Sequence, residues 1–260
     1  MPGPTGGNDA DSQAIIAKVA RVMARVQLAA DRAGRATSDI QVMLAAKQQP
    51  VSSVATAVAA IGPYLPAGSS VLVGENRVQE LVGIATDLTE LVESEAIELH
   101  QIGPLQTNKV NQLLRNPSVC LESLDSLKLA AVLNEKCGLI DRTLEVMLQV
   151  NVSGESSKSG CPPEAAIPLA AEIAGLPNLR LTGFMCLGLP PVFGWENEIV
   201  NREEIRSGYR LLREIRDAVV ESPETAAATE LSMGMSADLE LAIAEGATIV
   251  RVGTAVFGRR

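Results

Sequence analysis

Two stretches lying far apart in this sequence carry residue types that together could do chemistry on a phosphorylated carbonyl compound. Lys47 directly follows the apolar run QVMLAA, so its amine leaves the end of a buried strand into a partly desolvated mouth where it can condense with an aldehyde. A surface lysine that merely ends a strand reads equally well from position alone. The second stretch, TELSMGMSADLELAIAEGATIVRVGTAVFGRR, reads as strand, glycine turn, helix, strand, glycine turn. One apolar run ends at Leu231 and is followed by Ser232, Met233, Gly234 and Ser236; the next, 248–252, stops at Gly253 and Thr254. Hydroxyls and glycine amides at two successive strand ends make an anion nest, because backbone N–H groups at tight turns and helix starts point at phosphate oxygens. Arg251, inside the last apolar run, needs a partner, which this reading finds in the far end of the ligand.

Bringing these groups together requires a particular set of elements. Residues 11–33 have helical spacing, with Ile15, Ile16, Val19, Val22, Met23 and Val26 on one face. Candidate strands follow at 40–46, 70–73, 98–102, 119–122, 144–151, 179–187, 230–232 and 249–252, separated by helical patterns. Eight strands alternating with helices in 260 residues argue for an α/β fold, a single closed (β/α)8 TIM barrel with an extra N-terminal helix. An open doubly wound sheet is the alternative. Residues 1–11, MPGPTGGNDAD, read as a disordered extension, 12–260 as one domain, and 188–198 as an inserted loop.

Bulk properties exclude several classes. A formal net charge of −9, from 22 basic and 31 acidic residues, disfavours nucleic acid or an anionic membrane as partner. Only six of the basic residues are lysines, so each lysine merits inspection. Cys120, Cys137, Cys161 and Cys186 show no CxxC or Cys/His spacing, which speaks against a metal site or disulfide framework and for structural thiols in a reducing compartment. No apolar run is long enough to span a bilayer and no signal core opens the chain, so the expected location is cytoplasmic. No obvious exposed apolar helix face is present, so the expected state is a monomer.

At the C-terminal face of such a barrel the residues after each strand would gather: Lys47, then Gly74, Glu75 and Asn76, then Gly103, Asn151, the Ser232 to Ser236 segment, and Arg251, Gly253 and Thr254. No paired carboxylates and no Ser/His/Asp set are among them, so hydrolysis by those routes finds no support. An amine, a phosphate nest and an arginine facing the far side of a ring describe a pyridoxal 5'-phosphate pocket. Each residue also has a plainer reading. Glu75 or Asn76 can cap the next helix, Thr107 or Asn108 can cap another, and Lys109 can be a surface charge. Lys158 in SGESSKSG can be a solvated loop residue, Met233 and Met235 can pack around their turn, and the sole histidine, His100, can be a hydrogen-bonded core residue.

The segments LAAKQQP, GENRVQE, HQIGPLQTNK, NVSGESSKSG and LSMGMSADLELAIAEGATIVRVGTAVFGRR, in this order from about Gln41 to Arg260, resemble the successive motifs of the YggS/PROSC family of pyridoxal phosphate homeostasis proteins. The resemblance implies a barrel similar to the N-terminal domain of alanine racemase, PLP fold type III, holding pyridoxal 5'-phosphate as a lysine Schiff base. It implies Lys47 as that lysine and Arg251 as partner of the pyridine nitrogen. It further implies Ser236, Gly253 and Thr254 as phosphate ligands and Asn76 as a residue beside the cofactor, with Ser232, Met233 and Gly234 as further candidates. The chain departs from the pattern at Gln48-Gln49, where Thr-Lys is frequent, at Val73 for Phe, and at Arg77 for Tyr.

An arginine donates a hydrogen bond to a pyridine nitrogen but does not readily give up its proton, which disfavours transamination. Racemisation needs an acid or base on each face of the α-carbon, and Lys47 supplies one. The chain runs eight residues past the last candidate strand, so no second domain is expected to bring another. The expected function is therefore storage or delivery of the cofactor to apo-enzymes that depend on it. A small amino-acid racemase is the alternative, and a phosphosugar barrel enzyme a more distant one.

Overall fold

The computed structural model describes residues 6–116, 118–155 and 159–258. Among these, β1 (Gln41–Ala45), β2 (Val71–Glu75), β3 (Ile97–Gln101), β4 (Val119–Leu124), β5 (Leu144–Gln149), β6 (Leu179–Met185), β7 (Glu230–Met235) and β8 (Ile249–Val252) pair in parallel, each with the next. β8 pairs back onto β1, so the sheet has no edge and the barrel is closed. Each strand is packed on both faces, which is why the strands read as near-continuous apolar runs and not as strict alternation.

Outside the barrel, α1 (Gly6–Ala33), α2 (Val51–Ile61), α3 (Val78–Asp87), α4 (Thr89–Glu93), α5 (Val110–Leu113), α6 (Leu127–Gly138), α7 (Pro163–Ala174), α8 (Arg202–Val219), α9 (Leu239–Ala244) and α10 (Thr254–Phe257) cover the sheet. α8 shows how sequence selects the buried face: Ile205, Tyr209, Leu212, Ile215 and Val219 recur at helical spacing and are buried. Beside that stripe, Arg206, Arg210 and Arg213 converge on the buried carboxylate of Glu245 at the end of α9, at 2.6, 3.5 and 3.1 Å. α8 and α9 are thereby locked together below the β7 turn.

α1 packs on α2, α9 and α10 through Val19, Val22, Met23, Val26 and Ala30. It starts at Gly6, so the disordered extension expected over 1–11 is corrected from that point on; residues 1–5 lie outside the described residues. Asp9 in its first turn meets the positive end of the helix dipole and favours the earlier start.

Two apolar clusters divide the core. The larger fills the space between strands and helices, whereas Met43, Leu72, Cys120, Met147, Met185 and Ile249 fill the inside of the barrel. All four cysteines are buried and none forms a disulfide. No helix among the described residues is long and apolar enough to cross a membrane.

The largest departure from the sequence reading is β7. It does not stop at Ser232 but runs on to Met235, and its register against β8 shifts between Ser232 and Met235. Gly234 makes the shift possible: its φ is +87°, and a Cβ there would stand 2.3 Å from the Ala242 Cβ. The bulge leaves Ser232 facing the barrel interior and delivers Met235 and Ser236 to the C-terminal mouth.

Candidate functional site

A cavity of about 1180 Å³ opens at that mouth, lined by the ends of β1, β2, β3, β6, β7 and β8. The polar side chains on its described wall are Lys47, Gln49, Asn76, Arg77, Ser236, Arg251 and Thr254. Residues remote in sequence meet here because every strand of a parallel barrel ends on the same face.

Lys47 stands just past β1, exposed on the cavity side, in an unusual backbone conformation: φ is +43° at Lys47 and +62° at Gln48. Left-handed residues other than glycine cost about 1 kcal/mol or more each and persist only where their surroundings fix them. Four contacts do so. Ala46 N–H donates to the Gly74 carbonyl at 3.0 Å, Lys47 N–H to Glu75 Oε2 at 3.1 Å and Gln49 N–H to the Ala46 carbonyl at 3.1 Å, while Gln48 Nε2 donates to Glu80 Oε1 at 2.5 Å. Glu75 is thus a brace for the lysine turn and not the helix cap expected of it; α3 starts after Arg77 with no side-chain cap.

Burial, with the Glu80 carboxylate beside it, pushes the Glu75 carboxyl up to about 7, and its Oε1 is buried without a hydrogen bond. The folded protein therefore holds this proton more tightly than the unfolded chain does. The contribution of Glu75 to stability is fully present below about pH 4.5 and is lost as pH rises through about 7. Glu75→Gln removes that dependence. Relative to wild type its urea midpoint should rise between pH 5 and pH 8, by on the order of 2 kcal/mol once converted to free energy. A difference between the two proteins that is constant over this range would show that the carboxyl is not perturbed.

At the ends of β7 and β8, Ser236 Oγ accepts from the N–H groups of Gly253 at 3.2 Å and Ala255 at 3.3 Å, tying the β7 turn to the start of α10. The turn is fixed from behind. Arg25 of α1 donates to the Ser236 carbonyl at 3.0 Å and grips Glu240 with a two-pronged contact at 2.7 and 2.9 Å. Buried Asp238 accepts from Met235 N–H at 2.6 Å and from the Tyr209 hydroxyl at 2.8 Å. Gly103, on the third side, cannot carry a side chain, since its Cβ would lie 2.2 Å from the Asn76 carbonyl oxygen. Gln101 Nε2 donates to the carbonyls of both Asn76 and Gly103 at 2.9 Å and fixes that approach.

Arg251 forms the floor. Its strand pairs it with Met43, and both point into the barrel. Nη1 donates to Ser232 Oγ at 2.6 Å and Nη2 to the Cys186 carbonyl at 2.7 Å. Ser232 in turn donates to Glu122 Oε2 at 2.6 Å, and Glu122 Oε1 lies 2.8 Å from His100 Nδ1. His100 Nε2 faces Glu98 Oε1 at 3.4 Å. Burial alone would push the Glu122 carboxyl up; the hydrogen bond and charge of His100, with Arg251 and Ser232, more than offset it and hold it below the usual carboxylate range. Burial likewise opposes a charged His100, yet its contacts with Cys120, Glu122 and Glu98 raise it well above its ordinary value. The pair is a buried ion pair.

Lys47, Asn76, Ser236, Arg251, Gly253 and Thr254 are all brought to the cavity. Ser232, Met233 and Gly234 are not on its wall: Ser232 lies under Arg251, Met233 packs in the outer core, and Gly234 abuts α9. The β7 bulge separates them from Ser236. His100 is also off the wall, buried in the barrel, and Lys158 lies outside the described residues. Arg251 also has an internal partner that sequence reasoning missed, Ser232 with Glu122 behind it. The signal was present in VCLESL, where a lone glutamate interrupts an apolar strand as Arg251 does. Between β6 and α8, the inserted loop carries an isolated pairing of Phe193 with Ile199 and the fully exposed Trp195, while its base, Gly188 and Pro190, lines the cavity.

The family description "Alanine racemase, N-terminal domain" matches residues 73–260, a span that starts in β2 and leaves Lys47 outside. Over 247 residues the chain is 38 % identical to the pyridoxal phosphate homeostasis protein of Pseudomonas aeruginosa, covering 95 % of this chain and 96 % of that one. The protein of the same name from Aquifex aeolicus is 37 % identical over 94 % of this chain and 97 % of its own. Among solved structures, PipY of Synechococcus elongatus with PLP bound has a TM-score of 0.70 at 27 % identity, covering 90 % of this chain and 100 % of PipY. Alanine racemase from Clostridium difficile, at 14 % identity and TM-score 0.64, shares the fold over 92 % of this chain and 56 % of its own. With more than a third of its residues identical to such proteins over nearly its whole length, and the same closed barrel, the chain belongs to the family of pyridoxal phosphate homeostasis proteins.

Proposed function

We propose that this protein binds pyridoxal 5'-phosphate reversibly at the barrel mouth, covalently through Lys47 as a Schiff base. Its role in vitamin B6 homeostasis is then to hold the cofactor and hand it on, without turning over an amino acid. The observation that carries this reading is the composition of the cavity wall. Among the described residues it offers one amine, two guanidinium groups, hydroxyls and amides, but no carboxylate, imidazole, phenol or thiol. The names of the relatives and the PLP-bound PipY structure point the same way.

The donor set fits the cofactor. Ser236 Oγ accepts two backbone N–H groups, which leaves its own hydrogen for a phosphate oxygen. The Arg251 guanidinium carries more N–H groups than its two internal acceptors use, and it lies on the cavity floor. Lys47 follows β1, the strand paired with the one that carries Arg251.

When bound, the cofactor supplies an aldehyde carbon that an amine joins with loss of water, and a ring that draws electrons from that carbon. Lys47 secures the aldehyde end. Ser236, Gly253 and Thr254 hold the phosphate, and Asn76 borders the ring. Arg251 donates to the ring nitrogen while keeping its own proton, so the ring remains a weak electron sink. Lys47 is the only group on the described wall that could move a proton at the α-carbon of an amino acid, and racemisation requires one on each face.

Reconstitution with the cofactor, borohydride reduction and peptide mapping test the binding; incubation with L-amino acids in deuterated water tests the absence of turnover. The expected results are a reduced adduct on Lys47 and no α-proton exchange beyond the amount of protein present. An adduct on another lysine overturns the assignment of Lys47, and sustained exchange with formation of D-isomer makes the protein a racemase.

A further inference from the structure

We propose that Glu122 is a positioning residue for the ligand site: acting through Ser232, it fixes the Arg251 guanidinium at the floor of the cavity. His100 and Glu98 extend the same line to the opposite end of the barrel. This rests on the reading of the mouth as a pyridoxal phosphate site.

The line is continuous and almost entirely buried. It runs from Arg251 Nη1 to Ser232 Oγ at 2.6 Å, from that hydroxyl to Glu122 Oε2 at 2.6 Å, and from Glu122 Oε1 to His100 Nδ1 at 2.8 Å. It ends at Glu98, 3.4 Å from His100 Nε2 and part of a small pocket at the other mouth with Ser70, Arg142 and Glu145. Charges alternate along it, with Arg251 and His100 positive and Glu122 and Glu98 negative. Around it the barrel interior is made of Met43, Leu72, Cys120, Met147, Met185 and Ile249.

Stability alone does not account for this arrangement. A buried ion pair gains little over apolar residues of the same volume, and apolar side chains surround this one. What the line does provide is direction. The Ser232 hydroxyl has one hydrogen; because Glu122 takes it, the oxygen presents lone pairs to Arg251, and the guanidinium plane is set by two acceptors, Ser232 Oγ and the Cys186 carbonyl. With an amide at 122, the Ser232 hydrogen can turn toward Arg251 and the plane loses one of its two fixed points.

The test compares wild type, Glu122→Gln, Ser232→Ala and the double variant, each loaded with pyridoxal phosphate and checked for fold by circular dichroism. Dissociation is followed with an apo-enzyme that traps released cofactor, and the visible absorption band is recorded. Each single variant should release the cofactor roughly 10-fold faster, the loss of about one charge-assisted hydrogen bond, with a shifted band. The double variant should release it no faster than either single one, because both changes cut the same line. Wild-type rate and band in Glu122→Gln overturn the proposal, as do effects of the two substitutions that multiply, which would mark independent loosening. If Glu122→Gln does not fold, Ser232→Ala decides alone: an unchanged rate and band overturn the proposal. Failure of wild type to form a borohydride-reducible adduct on Lys47 instead overturns the reading of the mouth itself.

Discussion

Lys47→Ala is expected to abolish covalent retention of pyridoxal phosphate: after borohydride the variant should carry no phosphopyridoxyl group, and gel filtration should strip the cofactor that wild type keeps. The effect is large because no other amine stands on the described wall of the cavity. Phosphate and ring contacts remain, so weak binding should persist, with retention lower by on the order of 100-fold or more. Alanine tolerates the left-handed backbone at this position about as well as lysine, and the braces on residues 46–49 come from backbone groups, Glu75 and Gln48. Thermal stability should thus be close to that of wild type. A reduced adduct that reappears on Lys158 would show that the loop lysine, and not the β1 turn, is the site of attachment.

Arg251→Met is expected to destabilise the fold, and the reason lies away from the ligand. Removing the guanidinium takes the donor from Ser232 Oγ and removes from Glu122 the more distant of its two cations, His100 staying 2.8 Å away. Disrupting such a buried network costs about 1–3 kcal/mol. Changing Glu122 to Gln in the same protein removes the carboxylate that Arg251 had helped to balance, so the double variant should lose less than the sum of the two single losses. Urea unfolding of wild type, the two single variants and the double variant measures the coupling. Losses that simply add would mean that Arg251 and Glu122 do not sense each other across Ser232.

Much of the fold was legible locally. Strands packed on both faces advertise themselves as short apolar runs, and amphipathic stretches such as that in α8 declare their buried side by spacing. The ends of the strands were legible too, which is how Lys47 and the Gly253 turn could be matched although they lie at opposite ends of the chain. β7 was read as stopping at Ser232 because Gly234 is a poor strand former. The pairing of β7 with β8, and the bulge at Gly234, are set by a neighbour in space and leave little mark on the local sequence. The internal partners of Arg251 went unread for a related reason. Glu122 sits at the interior of another strand, and only closure of the barrel brings the two sides together. Glu75 and Asn76 both looked like possible helix caps because polar side chains gather before helix starts; the contact of Glu75 with Lys47 depends on the register of β1 against β2.

The loop between β6 and α8 has a practical consequence. The chain contains one tryptophan, Trp195, and it stands wholly in solvent on a loop whose base forms part of the cavity wall. Its fluorescence therefore reports on one rim of one mouth and on nothing else in the molecule. An acceptor protein that covers this rim would change the surroundings of the chain's one tryptophan, so selective excitation of that residue offers a label-free test for such an encounter.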